Sequence, residues 1–319
     1  MGDNKIQNYI IRRLIQTLYV IIVMSIIIFT AVRFAPGDPA VTRLGMEATK
    51  EALEQERKDM GLDKPIPVQY FIWVNKVFRG DFGVSSAYAA EHPVGSLVLE
   101  KFKRTIPLTV TALLLGVILA IPLGIIAGLK PFSWTDNFVS AISLFGIAAP
   151  SFWVGLMLIL FFAIRLDWLP TSGYGPIGSG FKVSHFVLPS IALGIQLMGA
   201  ITRYMRSGML DVMSSDYIRT AHAKGLPYRT VVIRHAMKNA LLSVVTVIAL
   251  DFGALLGGSL VTETVFRWPG VGLMLVEAIQ ARDYSIVQLI VMAISFVYVI
   301  VNLLADIAYG YLDPRIRYE

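Results

Sequence analysis

The sequence predicts an all-α, polytopic membrane protein with six transmembrane helices and a small extracytoplasmic helical insertion after the first of them. Three observations predict it. The 319 residues are 55% hydrophobic and only 16% charged, with a mean hydropathy of +0.65, whereas soluble domains carry about a quarter charged residues. Uncharged runs recur at Leu14–Val32, Thr105–Leu129, Asn137–Ile164, Phe186–Thr202 and Tyr284–Ala305, and a sixth, Asn239–Thr262, contains one charge, Asp251. Each is long enough, at about 17 residues or more, to cross the hydrocarbon layer as a helix. The cationic excess also falls in every second connection between these runs, and so on one side of the bundle.

The first run follows Lys5, Arg12 and Arg13. It is too long for a signal-peptide core and has no small-x-small cleavage site before the next charge, so it is expected to be a retained span. Pro107, Pro122, Pro150 and Pro189 fall in or near the runs, where packed membrane helices tolerate them if neighbours or water satisfy the freed carbonyls. One side of the bundle carries Lys5, Arg12, Arg13, Lys130, then Arg203, Arg206, Arg219, Lys224, Arg229, Arg234 and Lys238, and finally Arg315 and Arg317. Few acids oppose them there: Asp3, Asp136, Asp211, Asp216, Asp313 and Glu319. The loops of the other side are nearly balanced in sign. By the positive-inside rule the basic side is cytoplasmic, with both termini inside. The net charge of +6 is thereby explained by topology, and no nucleic acid is needed.

The segment Arg33–Arg104 is the only substantial insertion, and it faces outward. Glu47–Met60 patterns as a helix, and Val68–Phe78 as a second, amphipathic one through Tyr70, Phe71, Trp73, Val74 and Val77. Gly61, Pro65 and Pro67 separate the two. Such a piece serves equally as a cap packed on the bundle or as a dock for an external partner, because both pattern alike.

The most basic stretch is Ser214–Asn239. Its first half has the signals of a short helix. Ser215 or Asp216 can cap the start, Gly225 can take the left-handed stop, Leu226 can fold back over the last turn, and Pro227 forbids continuation. Met213, Tyr217 and Ala221 share a face at i, i+4 spacing. A helix of about ten residues is marginal alone, so it needs a surface to lean on. A basic loop can lie on anionic lipid, but a helix, a stop and a second helix are more than orientation requires, and suit insertion into a cytoplasmic protein.

The sequence lacks the G-x-x-x-x-G-K-[ST] phosphate loop, H-E-x-x-H and the G-x-S-x-G elbow. Its four histidines, His92, His185, His222 and His235, have no ligand spacing. Without cysteine there is no disulfide framework, thiolate catalysis or thiolate metal site. Catalysis by this chain, a cofactor on it and a metal on it are therefore not expected. Asp251 is the one carboxylate deep in a span. An ionised group there is costly, so it should face a polar cavity or a partner. It either meets a cationic group of a passing solute or fixes helix packing. The nearby Gly253, Gly257 and Gly258 permit close helix approach.

The loop D-Y-I-R-T-A-x-A-K-G-L, Asp216–Leu226, resembles the cytoplasmic coupling loop of ABC-importer permeases of the dipeptide/oligopeptide/nickel type. The likeness extends along the chain through R-R-L at Arg12–Leu14, P-G-D-P at Pro36–Pro39, L-P-T-S-G-Y-G at Leu169–Gly175, E-T-V-F-R-W-P-G-V-G at Glu263–Gly272 and D-P-R-I-R-Y at Asp313–Tyr318. The long outer insertion resembles the first of the two permeases that such systems pair. One departure stands out: against the general permease pattern E-A-A-x-x-x-G, the chain has Arg219, Thr220, Ala221 and then Gly225.

The resemblance implies a type I ABC-importer transmembrane fold in a prokaryotic inner membrane. It implies a second homologous permease subunit, two cytoplasmic ABC ATPases that hold ATP and Mg, and an extracytoplasmic solute-binding protein. Asp216, Tyr217, Arg219, Thr220, Ala221, Lys224 and Gly225 would engage an ATPase, whereas Asp251, read from its depth in a span as a residue of the translocation path, lies where such permeases more often carry an uncharged polar residue. The chain divides into 1–32, the N-terminus and first span; 33–104, the insertion; 105–308, a five-helix permease core with its coupling loop at 203–238; and 309–319, a cytoplasmic tail. Peptides, nickel complexes, glutathione and some oligosaccharides are the solutes such permeases pass. The alternative is an ion-coupled secondary transporter, which calls for paired intramembrane charges or broken helices at matching positions of inverted repeats.

Overall fold

The computed structural model describes residues 2–35, 37–45, 47–89, 91–175 and 180–312, without the side chains of 2–9, 242, 243, 246, 249, 254, 256, 258 and 308–312. Pro36 and the Asp313–Tyr318 tail singled out above lie outside this description, as do the surroundings of Gly258. Among the described residues all regular structure is helical, apart from an isolated bridge between Val84 and Pro93. The helices are α1 Gly2–Phe34, α2 Pro39–Leu44, α3 Lys50–Asp59, α4 Ile66–Phe78, α5 Val94–Leu129, α6 Trp134–Ala148, α7 Ser151–Leu158, α8 Val183–Met213, α9 Asp216–Ala223, α10 Tyr228–Thr230, α11 Met237–Val265, α12 Val271–Gln280 and α13 Tyr284–Leu312. Ile159–Arg165 and Val231–Ala236 continue α7 and α10 as π-helical turns.

Four stretches, Ile10–Phe34, Val94–Leu129, Val183–Met213 and Tyr284–Ile307, are long and apolar enough to cross a membrane. The all-α, polytopic fold class is thus present. The third expected run, Asn137–Ile164, is not one straight helix: α6 and the helix through Arg165 are bent by 105°. The cause lies at Pro150. The residue before a proline is pushed out of the α region, and Ala149 takes φ −70°, ψ 126°. Counted as one broken span, the pair makes five. The remaining run, Asn239–Thr262, lies within the 29 residues of α11.

The chain forms two compact units, each considered by itself. The first comprises Ile106–Trp268 with Met1–Arg13 and Val301–Glu319. Its centre is α8, whose Leu193, Ile201, Met205 and Met209 are fully buried. The neighbouring α5 reaches α8 through a ridge of small residues four apart: Gly116, Ala120, Gly124 and Gly128. A Cβ on Gly124 would stand 2.8 Å from the Thr202 carbonyl oxygen. In lipid, where burial of apolar surface drives little helix association, such close backbone approach supplies the packing. Asp136, near the start of α6, is buried and receives Arg206 of α8 in a fork, Nε to Oδ1 at 2.5 Å and Nη2 to Oδ2 at 2.7 Å. Phe132 N–H adds a third donor at 2.8 Å. Arg13 of α1 pairs with Asp306 of α13 at 2.9 Å, giving Asp306 a partner that the sequence did not suggest.

The second unit comprises Leu14–Thr105 with Pro269–Ile300. Asp38 caps α2 through the Ala40 N–H at 3.0 Å, and Arg57 of α3 pairs with it. Burial raises the Asp38 carboxyl, but hydrogen bonds from Arg57 and Ala40 together outweigh this and hold it below the usual carboxylate range. The helix expected over Glu47–Met60 is α3, which starts at Lys50 and not at Glu47, because the Thr49 hydroxyl accepts the Ala52 N–H at 3.3 Å and fixes the start there. On α4, Tyr70 and Trp73 pack on Phe29 of α1, with ring centroids 5.5 and 5.4 Å apart. Phe71 and Phe78 stay 70% and 86% exposed on the same helix. The insertion is therefore a cap by one face of α4, while another face remains open.

Asp283, fully buried between α12 and α13, gathers the loop before α5. Its Oδ2 accepts from Ser85 Oγ at 2.6 Å and from the N–H groups of Ser86, Ala87 and Tyr88 at 2.9, 3.0 and 3.2 Å. Its Oδ1 accepts from Ile286 N–H at 3.3 Å. Asp283→Asn puts an amide NH2 or a weaker acceptor against these donors, each of which then loses part of its compensation. Amide hydrogen exchange of Ser86–Tyr88 should speed up by roughly tenfold or more, the factor for about 1.4 kcal/mol of lost local protection. Exchange unchanged in that loop would show that the carboxylate does not hold it.

Candidate functional site

The helix signals of the basic stretch are realised. α8 ends at Met213, Ser214 and Ser215 break the chain, and α9 runs from Asp216 to Ala223. Ser215 occupies the N-cap position, but its hydroxyl donates back to the Val212 carbonyl at 2.5 Å instead of capping. Asp216 in the first turn complements the positive end of the helix dipole. The stop is a complete two-bond cap. Gly225 takes φ +74°, its N–H donates to the His222 carbonyl at 2.9 Å, and Leu226 N–H donates to Ala221 at 3.4 Å. Leu226 then folds onto the core, as the sequence suggests.

The inward face of α9 differs from the expected one. Ile218 and Ala221 are buried in the core with Met205, Met209, Val231 and Val232, while Tyr217 is 43% exposed. The break at Ser214–Ser215 resets the helical register, so Met213 of α8 and Tyr217 of α9 do not share a stripe. The Tyr217 hydroxyl instead accepts from Asn239 Nδ2 at 2.7 Å, tying α9 to the start of α11.

Of the seven loop residues singled out, Ala221 turns inward and anchors. Asp216, Tyr217, Arg219, Thr220, Lys224 and Gly225 are exposed together. Arg219 reaches Asp216 at 3.4 Å across one turn, with both side chains mostly in solvent. Arg229, Arg234 and Lys238 continue the exposed basic face. The result is a short rigid helix, fixed at two apolar points and closed at its end, presenting polar and cationic groups outward. Arrangement and charge suit a groove on another protein.

The structure does not bring Asp251 to this surface. It lies 14 residues into α11, about 21 Å along the axis at 1.5 Å per residue. Its Oδ2 is buried with no hydrogen-bond partner. No donor among the described residues therefore ties this oxygen to a neighbouring helix. Gly257, expected to allow close helix approach, faces open space.

Two of the sequence motifs meet in space. Gly173 N–H donates to the Phe266 carbonyl at 2.8 Å, and the Tyr174 ring stands 4.9 Å from that of the fully buried Trp268. The Asp136–Arg206 pair escaped the sequence reading. Its one signal was an acid and a base at the ends of separate runs on the same side.

Residues 120–318 match the family described as binding-protein-dependent transport system inner membrane component, and residues 6–110 match its N-terminal counterpart. The "Probable peptide ABC transporter permease protein y4tP" of Sinorhizobium fredii is 40% identical over 312 residues, covering 97% of this chain and 99% of that protein. The "Glutathione transport system permease protein GsiC" of Escherichia coli is 37% identical, covering 98% and 99%. Among solved structures, an amino acid ABC transporter described as crystallised with histidines overlays with a TM-score of 0.49 at 14% identity, over 69% of this chain and 94% of that one, too slight a likeness to carry weight. By the family matches, which span most of its length, the chain belongs to the binding-protein-dependent transport system inner membrane components and is an ABC-importer permease.

Proposed function

We propose that this chain forms half of the translocation pathway for peptides or similar small polar solutes, glutathione among them. The names of the relatives, peptide in one case and glutathione in the other, support that solute class. A second homologous permease supplies the other half. Two cytoplasmic ABC ATPases hold the ATP and Mg, and this chain itself catalyses nothing. An extracytoplasmic solute-binding protein delivers the solute to the side of the insertion 33–104, where the exposed Phe71 and Phe78 of α4 offer it an apolar contact. Six spans place both termini in the cytoplasm.

The observation that carries the coupling role is the build of α9. Ile218 and Ala221 hold it to the core while Asp216, Tyr217, Arg219, Thr220, Lys224 and Gly225 are exposed. An ATPase that closes on ATP pushes such a helix as a lever, and the move passes into α8 and α11. Reconstituted with its partner permease, ATPases and binding protein, the system should take up solute only when ATP is present. Uptake by this chain alone without ATP would overturn the assignment.

Asp251 is assigned to the path. Asp251→Asn should lower uptake of cationic peptides roughly tenfold, the factor for about 1.4 kcal/mol of one lost charge contact, and leave neutral ones nearly unchanged. Competition between a lysine-bearing and a neutral peptide of equal length measures this. An equal effect on both would make Asp251 a packing residue.

A further inference from the structure

Two cavities adjoin in the unit built from Leu14–Thr105 and Pro269–Ile300. One, of about 500 Å³, is the more polar of the two and takes in Arg33, Asp59, Lys76, Asp81 and Gln288. The other, of about 570 Å³, is an apolar groove of α1 and α13 that includes Ile27, Ala31, Val287 and Val291. Val32 and Tyr284 line both.

The polar cavity has two orphaned donors. Gln288 is only 8% exposed, and its Nε2 is buried with no hydrogen-bond partner. Arg33 Nε is in the same condition. Buried donors without acceptors are costly, and two of them in one cavity call for a group with several acceptor oxygens. The same cavity holds two carboxylates that accept only from neutral donors among the described residues: Asp59 from Gln55 Nε2 at 2.9 Å, and Asp81 from Gly83 N–H at 3.0 Å. These acids disfavour a bare anion and favour a molecule that also carries a cation. The apolar groove beside them accepts a hydrocarbon chain, and α1 and α13 are membrane spans, so lipid is always at hand.

We propose that these joined cavities hold one aminophospholipid of the phosphatidylethanolamine type. Its phosphate sits on Arg33 and Gln288, its ammonium among Asp59 and Asp81, and one acyl chain lies along Ile27, Ala31 and Val291. The lipid ties the insertion to the spans and seals the outer ends of α1 and α13 against water.

The assembled importer, extracted from its own membrane in mild detergent, tests this by native mass spectrometry of bound lipid. The wild type should retain one phosphatidylethanolamine for each copy of this chain after repeated washing. Gln288→Leu, which removes an orphaned donor, and Ala31→Phe, which fills the groove without touching the headgroup site, should each lower retention about tenfold. Recovery of the partner subunits reports whether a variant still assembles; should Gln288→Leu fail to, Ala31→Phe decides. Delipidated wild type should regain lipid from dioleoylphosphatidylethanolamine vesicles and far less from dioleoylphosphatidylglycerol vesicles. No retained lipid in the wild type, retention in both variants as high as in the wild type, or stabilisation by millimolar inorganic phosphate in place of lipid would each overturn the proposal.

Discussion

Gly225→Val combined with Asp216→Lys should leave the permease in the membrane with its partners and abolish most solute uptake while ATP hydrolysis continues. The reason is geometric. Gly225 sits at φ +74°, where a Cβ costs about 1–2 kcal/mol and a β-branched residue more. The space around it is open, so the strain falls on the backbone and not on neighbours. The chain relieves the strain by abandoning the cap, and the bonds from Gly225 and Leu226 to His222 and Ala221 are lost. Asp216→Lys reverses the charge at the start of the helix, against the dipole and beside Arg219. Ile218 and Ala221 still hold α9 to the core, so folding survives. A coupling free energy is typically about 1–3 kcal/mol, so uptake per ATP hydrolysed should fall roughly tenfold or more. Transport and hydrolysis measured on the same proteoliposomes give the ratio. An unchanged ratio would mean that α9 transmits nothing.

Asp136→Ala should strongly destabilise the first unit. It strips the buried fork from Arg206, and removing one partner of a buried pair costs about 3–5 kcal/mol because the other charge remains. Arg206 is 27% exposed, which lets it recover some hydration and places the loss near the lower figure. The Phe132 N–H loses its acceptor as well. Removing both charges, as Asp136→Leu with Arg206→Met, should return most of the stability, since a well-packed apolar pair replaces a buried ion pair at little cost. Thermal unfolding in detergent of the single and double variants measures the difference. A single variant as stable as the wild type would show that the pair is solvated.

Helix identity and the ends of α9 were legible because the signals are local. An uncharged run fixes a span, and the order Gly225, Leu226, Pro227 fixes a stop. The bend at Ala149–Pro150 was legible in principle from the proline, but the neutral run from Asn137 to Ile164 hid it, because hydropathy does not register a change of direction. The inward face of α9 was misassigned because Ser214 and Ser215 reset the helical register between Met213 and Tyr217. Asp136 and Arg206, 70 residues apart, and Ser85 and Asp283, 198 apart, could not be paired from one sequence. The same holds for the orphaned donors of Arg33 and Gln288, whose meaning comes only from what surrounds them.

The chain has no cysteine, so a single one placed at Thr220, on the exposed face of α9, can carry a photoreactive label without background from the permease itself. Illumination in native membranes should attach the label to a subunit that carries a nucleotide-binding motif, and the yield should change when ATP is added. A label that reaches only lipid, with or without ATP, would contradict the coupling role and leave this loop as a basic patch on the membrane surface.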